Sequence, residues 1–313
     1  MKKINKNKGV ALITAMLITA ITGSLAAGLT WNNSLDIRRT MTLMLHEQGI
    51  QVALGAETWV QNILQNDSLS NQTDHLGEIW ASELPVLPID NDSIQGAVSG
   101  KIEDLNGKFN VNNLVDANGQ VNVDMLEQFE RLLQILNLDI RFAGLTVDWI
   151  DIDQIASLPN GAEDPVYTNF NPPYRTSNRP LVNVTELSSL EGMDKLSFRK
   201  LLPHITALPG KTKINVNTAT PEVLSSLSNN IDQNTLEGLL LIRKESGISD
   251  ITSTFGTLIE NKVIFDNLSQ KSEYFQLKAV VQIDNVVVNY FSLMMRLPNG
   301  GPVTTILRSF GSI

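Results

Sequence analysis

Residues 5–39, NKNKGVALITAMLITAITGSLAAGLTWNNSLDIRR, decide how the rest of the chain is read. Lys2, Lys3, Lys6 and Lys8 precede a glycine at Gly9, and no charge appears again until Asp36. A lysine cluster of this kind stays on the cytoplasmic side, so the chain beyond it crosses outward. The uncharged run 9–35 is long enough to span roughly 30 Å of hydrocarbon as a helix. Three fates fit such a run. A secretory signal would be cut at a small-x-small site, and Ser24-Leu25-Ala26 supplies one. A plain anchor would stay uncut. A third kind of segment is cut on the near side of its apolar run and keeps it.

The apolar pattern does not stop where a membrane would. Met41, Leu43, Met44, Leu45, Ile50, Val52, Leu54, Trp59, Val60, Ile63 and Leu64 continue at mixed spacings of three and four, the signature of an amphipathic helix. One helix over 10–65 would be on the order of 80 Å long. Half would lie in lipid, and half would need a partner surface outside. The polar stretch 66–72 is predicted to turn. Residues 95–105 alternate as a strand and end at Asn106-Gly107, a turn signal. Residues 274–283 and 286–296 read as the two arms of a β-hairpin around Asp284-Asn285. Between the two strand regions lie helical patterns over 124–136, 146–152, 185–190, 194–202, 220–227 and 234–244. At the fifth of these, Thr220 caps and Pro221 occupies the first helical position. The fold class is therefore α+β, with a mostly helical domain inserted between strands.

The chain has 313 residues, 42% hydrophobic and 18% charged, which fits one large or two modest folded domains. The net charge of -9 argues against a general nucleic-acid binder. Cysteine is absent, which removes disulfides, thiolate metal sites and cysteine nucleophiles together.

Lys8-Gly9 followed by Val10-Ala11-Leu12-Ile13 resembles the leader of type IV pilins and type II secretion pseudopilins. The resemblance implies cleavage by a prepilin peptidase between Gly9 and Val10. Major subunits of these families carry glutamate at the fifth mature position; here that position is Thr14. Among pseudopilins, the missing carboxylate resembles the large minor subunit, the general secretion pathway protein K family. Further markers are the segments 104–114 (DLNGKFNVNNL), 148–153 (DWIDID), 161–164 (GAED) and 214–219 (INVNTA), and Tyr174-Arg175 with Asn178-Arg179-Pro180.

The resemblance implies a pilin-like fold: a long N-terminal helix against an antiparallel sheet, with helix-hairpin-helix or SAM-like units in the inserted domain. It divides the chain into a leader (1–9), the N-terminal helix with its membrane-spanning first half (10–65), and the first part of the pilin-like domain (66–103). The inserted α-domain (104–270) and C-terminal strands (271–313) complete it. It implies a tip position on the periplasmic pseudopilus, determined in part by Thr14. It implies as partners the minor pseudopilins I, J and H, the major pseudopilin, the prepilin peptidase and the inner-membrane assembly platform, with the globular domain periplasmic and no nucleic acid bound.

One candidate site stands out. Asp148, Asp151 and Asp153 precede a Pro/Gly/Asn-rich stretch that carries Glu163 and Asp164. Calcium takes six to eight hard oxygens in irregular loops. From the residues alone this is either a calcium loop or a hydrated acidic loop. The resemblance implies calcium in this domain, and Asp151, Asp153, Glu163 and Asp164 of the loop are the candidate ligands.

Other motifs carry less. Gly210-Lys211-Thr212 lacks the upstream glycine of a phosphate loop, whose place Ile205 takes. The segment from Ile214 to Leu224 resembles the opening of a helix-hairpin-helix unit, and 181–187 partly repeats it. The hairpin at 228–232 has no glycine and adds Asp232. A membrane-anchored helix-hairpin-helix DNA-binding or uptake protein is the alternative function. His46, His75 and His204 lie in unrelated contexts, and no hydrolase motif occurs, so catalysis finds no support.

Overall fold

The computed structural model describes residues 8–91, 94–116, 118–157, 159–298 and 300–311. Residues 1–7 of the expected leader lie outside the described residues. Helix α1 (Lys8–Ser70) is continuous over 63 residues. It does not turn at residue 66. Asp67 in its last turn is bonded by Arg296 (Nη1 to Oδ2, 3.2 Å), and the hydroxyls of Ser68 and Ser70 donate back to Gln65 O and Asn66 O. A tertiary ion pair here overrides the local polarity.

The outward half of α1 buries Ala53, Glu57, Val60 and Leu64, spaced four, three and four. Strands β1 (Leu84–Asn91) and β2 (Ile94–Asp104) come after it. The inserted region begins with a two-residue strand, β3 (Phe109–Asn110), and helices α2 (Val123–Ile135), α3 (Arg141–Ile150), α4 (Asp164–Tyr167) and α5 (Lys195–Leu201). Strands β4 (Ile205–Thr206) and β5 (Ile214–Asn215) come next. After them lie α6 (Pro221–Ser226), α7 (Gln233–Ser246), α8 (Ile251–Phe255), α9 (Lys262–Asp266) and β6 (Leu268–Ser269). The chain returns through β7 (Tyr274–Ile283), β8 (Val286–Arg296) and β9 (Val303–Phe310).

The main sheet has the order β1-β2-β7-β8-β9, antiparallel throughout. Strands β2 and β7, neighbours in space, are separated by the whole inserted region. The hairpin forms as its alternation predicts, with Ile283 opposite Val286 and Asp284 at φ 49°. Two glycines of β2 are required by close strand approach. A Cβ at Gly96 would lie 2.4 Å from Gln282 O, and one at Gly100 2.6 Å from Lys278 O.

The described residues form two large apolar cores. One lies between α1 and the sheet and includes Leu64, Trp80, Phe275, Leu277 and Met294. The other fills the inserted region around Phe109 and Phe129, whose rings stack 5.2 Å apart. Two Asn-Val-Asn segments knit this second core. Asn112 donates to Leu181 O (3.0 Å) and accepts from Leu181 N (2.8 Å). Asn217 makes the same pair with Ile248, donating to its O (3.0 Å) and accepting from its N (2.6 Å). Each buried asparagine thus stands in for a strand neighbour and satisfies one donor and one acceptor.

Candidate metal centre

The acidic loop runs from the end of α3 to the start of α4. Helix α3 packs Phe142, Leu145 and Trp149 inward, and this brings Asp148, on the same helix, into the interior with no exposed surface. Trp149 meets Tyr167 edge-on at 5.3 Å and closes one side. The chain then leaves the helix at Asp151 in an extended conformation, ψ 177°. It returns at Gly161, where a Cβ would lie 2.1 Å from Asp148 Oδ2 and 2.4 Å from Ser157 N. Only glycine fits this return.

Three carboxylates converge. One oxygen each from Asp148, Asp151 and Glu163 lies within 4.8 Å of the others, and all three residues are buried. Ser157 N donates to both Asp148 oxygens, at 3.1 and 3.0 Å. Asp151 Oδ1 and Glu163 Oε1 are buried with no hydrogen-bond partner, and so is Asn178 Oδ1, on a residue whose backbone N–H donates to Trp149 O. Buried oxygens are almost always satisfied, so the two orphaned carboxylate oxygens of one trio point to a ligand between them. Burial raises all three carboxyls, reinforced for Asp151 by the neighbouring Asp153 and Asp148 charges; Asp151 and Glu163 both reach about 7. No cation lies among the described residues near this trio to offset three negative charges; Arg175 reaches Asp164 instead, at 3.5 Å. A hard divalent cation fits the donor set: three carboxylates, and no sulfur or imidazole.

Of the four ligands expected from sequence, Asp151 and Glu163 belong to this trio. Asp153 and Asp164 lie outside it. Asp153 is exposed and its Oδ1 accepts from Ile155 N at 2.7 Å. Asp164 Oδ1 accepts from Thr176 N and Oγ1, at 3.1 and 3.0 Å. Both carboxylates serve local backbone needs. Asp148 takes the third place.

A second acidic group, Asp67, Asp74 and Glu78, also converges. Here Arg296 supplies the positive charge, bonding Asp67 and Asp74 together. No sequence spacing announces this cluster, because its cation lies more than two hundred residues away.

Comparison with known proteins settles the lineage. Residues 107–210 and 214–258 match the family descriptions for type II secretion system protein K. The chain is 35% identical over 249 residues to type II secretion system protein K of Pseudomonas aeruginosa, covering 76% of this chain and 73% of the relative. The chain belongs to the type II secretion system protein K family. A member from Pectobacterium carotovorum subsp. carotovorum is 30% identical over 329 residues, covering 98% of this chain and 97% of the relative. Among solved structures, a chain of the GspK-GspI-GspJ complex from enterotoxigenic Escherichia coli superposes with a TM-score of 0.75. That match covers 88% of this chain and all of the other at 22% identity, and it shows a shared α+β fold.

The N-terminal residues singled out by the family resemblance lie on α1. Gly9 and Val10 sit in its first turn. Thr14 Oγ1 donates to Val10 O (3.1 Å) or Ala11 O (3.0 Å), so its hydroxyl is satisfied within the helix. The most apolar window of the helix has a mean hydropathy of 2.0, and none of it is buried by the protein. The helix is long and apolar enough to cross a membrane.

Proposed function

We propose that this chain is a minor pseudopilin at the tip of the periplasmic pseudopilus of a type II secretion system, where it starts or caps assembly for export of folded proteins across the outer membrane. The observation that carries this is α1: one helix whose first half is apolar and unpartnered and whose second half is glued to a sheet. Such a rod can be held in the inner membrane by one end while the other end carries a domain. Its role is assembly rather than catalysis. Prepilin peptidase cuts between Gly9 and Val10, and the new N-terminus opens the mature helix. The globular part is periplasmic.

Ordinary subunits present a fifth-position glutamate to a neighbour, and a carboxylate in lipid needs such a partner. Thr14 carries no charge, and its hydroxyl is already bonded to its own helix. No subunit above is needed to neutralise it. The wide inserted domain also obstructs stacking from above. Minor pseudopilins I, J and H, the major pseudopilin and the inner-membrane assembly platform are the partners, in line with the GspI and GspJ chains of the related complex. Calcium held by Asp148, Asp151 and Glu163 orders the long loop of the inserted domain.

The DNA-binding alternative is disfavoured locally. A phosphate would sit at the N-terminus of α7, but Asp232 Oδ1 already accepts from Thr235 N there (2.8 Å). Mass spectrometry of the N-terminus of membrane-extracted chain tests the proposal. A mature start at Val10 supports it; a start at Ala27 or Met1 refutes it. Co-purification with I and J in the parent background, and its loss on changing Gly9, tests the assembly role.

A further inference from the structure

The inserted domain touches the rest of the protein sparingly. Its apolar core and the core under the sheet are separate, and among the described residues the small cluster between insert and sheet buries Leu105, Leu208 and Tyr274. Beside that cluster an open cleft of about 380 Å³ separates Val182, Leu202 and Ile205 of the insert from Phe291, Leu293 and Leu307 of the sheet. Two bodies joined by two strands across an unfilled cleft would swing unless something held them.

A buried polar knot lies where the strands cross. Asp104, the last residue of β2, accepts at Oδ2 from Ser272 Oγ (2.5 Å), Thr218 Oγ1 (2.5 Å) and Asn215 Nδ2 (3.1 Å), and at Oδ1 from Asn106 N (2.8 Å). Thr218 and Asn215 belong to the insert, and Ser272 lies where the chain leaves it. Asn215 Nδ2 also donates to Asp74 O (3.0 Å), and Ser272 N donates to Asp74 Oδ2 (2.7 Å). Arg296 closes the knot, donating to Asp74, to Ser272 O (2.8 Å) and to Leu64 O on α1 (3.3 Å). Asp104, Asn215, Ser272, Asp74 and Arg296 are all at most 7% exposed. Four donors on one buried carboxylate are directional in a way that apolar contacts are not.

We propose that Asp104 is a latch that fixes the angle of the inserted domain on the sheet, holds the cleft open, and ties that angle to the end of α1 through Asp74 and Arg296. It is a positioning residue, and the latch is independent of the proposed place in the fibre. It also gives a role to two sequence markers, 104–114 and 214–219, that meet at this knot.

The chain has no cysteine, so spin labels can be placed at will. Labels at Lys195→Cys on α5 and Val287→Cys on β8, both exposed, report the cleft by pulsed electron resonance in the full chain in detergent. Hydrogen exchange is followed at Leu105 and across 272–274. Asp104→Asn should broaden the label distance distribution and speed exchange at both crossings by about tenfold or more, while α2 and the middle of β7–β8 keep their protection. Thr218→Val and Ser272→Ala remove one donor each, leave the carboxylate, and should act in the same direction more weakly. An unchanged distribution with unchanged exchange at the crossings overturns the latch. Uniformly faster exchange throughout both cores also overturns it, because that is lost stability without hinge motion.

Discussion

Glu57 on α1 offers the sharpest test of how the helix is held to the sheet. Its carboxylate is 2% exposed. It accepts from the Tyr290 hydroxyl, from Ser292 Oγ (2.6 Å), and from Arg308 Nε (3.1 Å) and Nη2 (2.8 Å). Burial alone would raise this carboxyl; the bonds from Arg308, Ser292 and Tyr290 outweigh it and bring it from 4.5 down to about 2. Each unit corresponds to about 1.4 kcal/mol, so the full shift would be about 3 kcal/mol. Arg308 is half exposed and partly screened, which reduces this to about 2 kcal/mol. A depressed carboxyl stabilises the fold above its unfolded value and loses that stabilisation as pH falls through the folded one. Glu57→Gln should therefore cost about 2 kcal/mol at pH 7, a drop of about 1 M in urea midpoint for a domain of this size. The gap between parent and variant should narrow below pH 4.5 and close near pH 2. Urea titrations of the full chain in detergent at pH 7, 5 and 3, followed by hydrogen exchange across 274–283 of the sheet, measure this. An equal midpoint shift at pH 7 and pH 3 would refute the reasoning, since it would assign the loss to shape and not to charge.

The remaining predictions concern the loop and the membrane end. Calcium should raise the melting temperature of the parent chain, and Asp151→Ala with Glu163→Ala should abolish the rise; an unaltered shift would remove these residues from the site. Gly161→Ala should destabilise the inserted domain by about 2 kcal/mol or more, because its Cβ would meet Asp148 Oδ2 at 2.1 Å; calorimetry of the parent and variant chains checks it. Thr14→Glu should impair secretion and tip placement, assayed by export of a secreted enzyme and by immunolabelling of fibres. Normal secretion with the variant still at the tip would show that the uncharged position does not select it.

Much of this fold is legible in the sequence, for particular reasons. The apolar period of α1 and the alternation around Asp284-Asn285 are local signals, and both elements form where they predict. The end of α1 is not local. Residues 66–70 read as a turn, but Asp67 is held by Arg296 from the end of β8, and no window of sequence contains both. The acidic loop shows the same division. Its composition marks it for hard-cation chemistry, but which carboxylates turn inward depends on backbone donors. Ile155 N claims Asp153 and Thr176 claims Asp164, while the buried face of α3 takes Asp148 inward. The Asp-x-Asp pattern cannot reveal those competitors. The polar knot at Asp104 is legible only as two asparagine-rich segments; their meeting is a property of the fold.

The unbroken course of α1 has a mechanical consequence. At 1.5 Å per residue its 63 residues make a rod about 95 Å long. The far half is fastened to the sheet along its length by Glu57, Val60 and Leu64, and no glycine or proline interrupts it between Ala56 and Ser70. It therefore behaves as a lever with no joint at its loaded end. A tilt of about 10° at the inner end sweeps the other through roughly 16 Å over that length. Small changes in how the apolar half leans in the bilayer would thus become large excursions of the globular load, and a neighbour that grips the rod near its middle would act as the fulcrum.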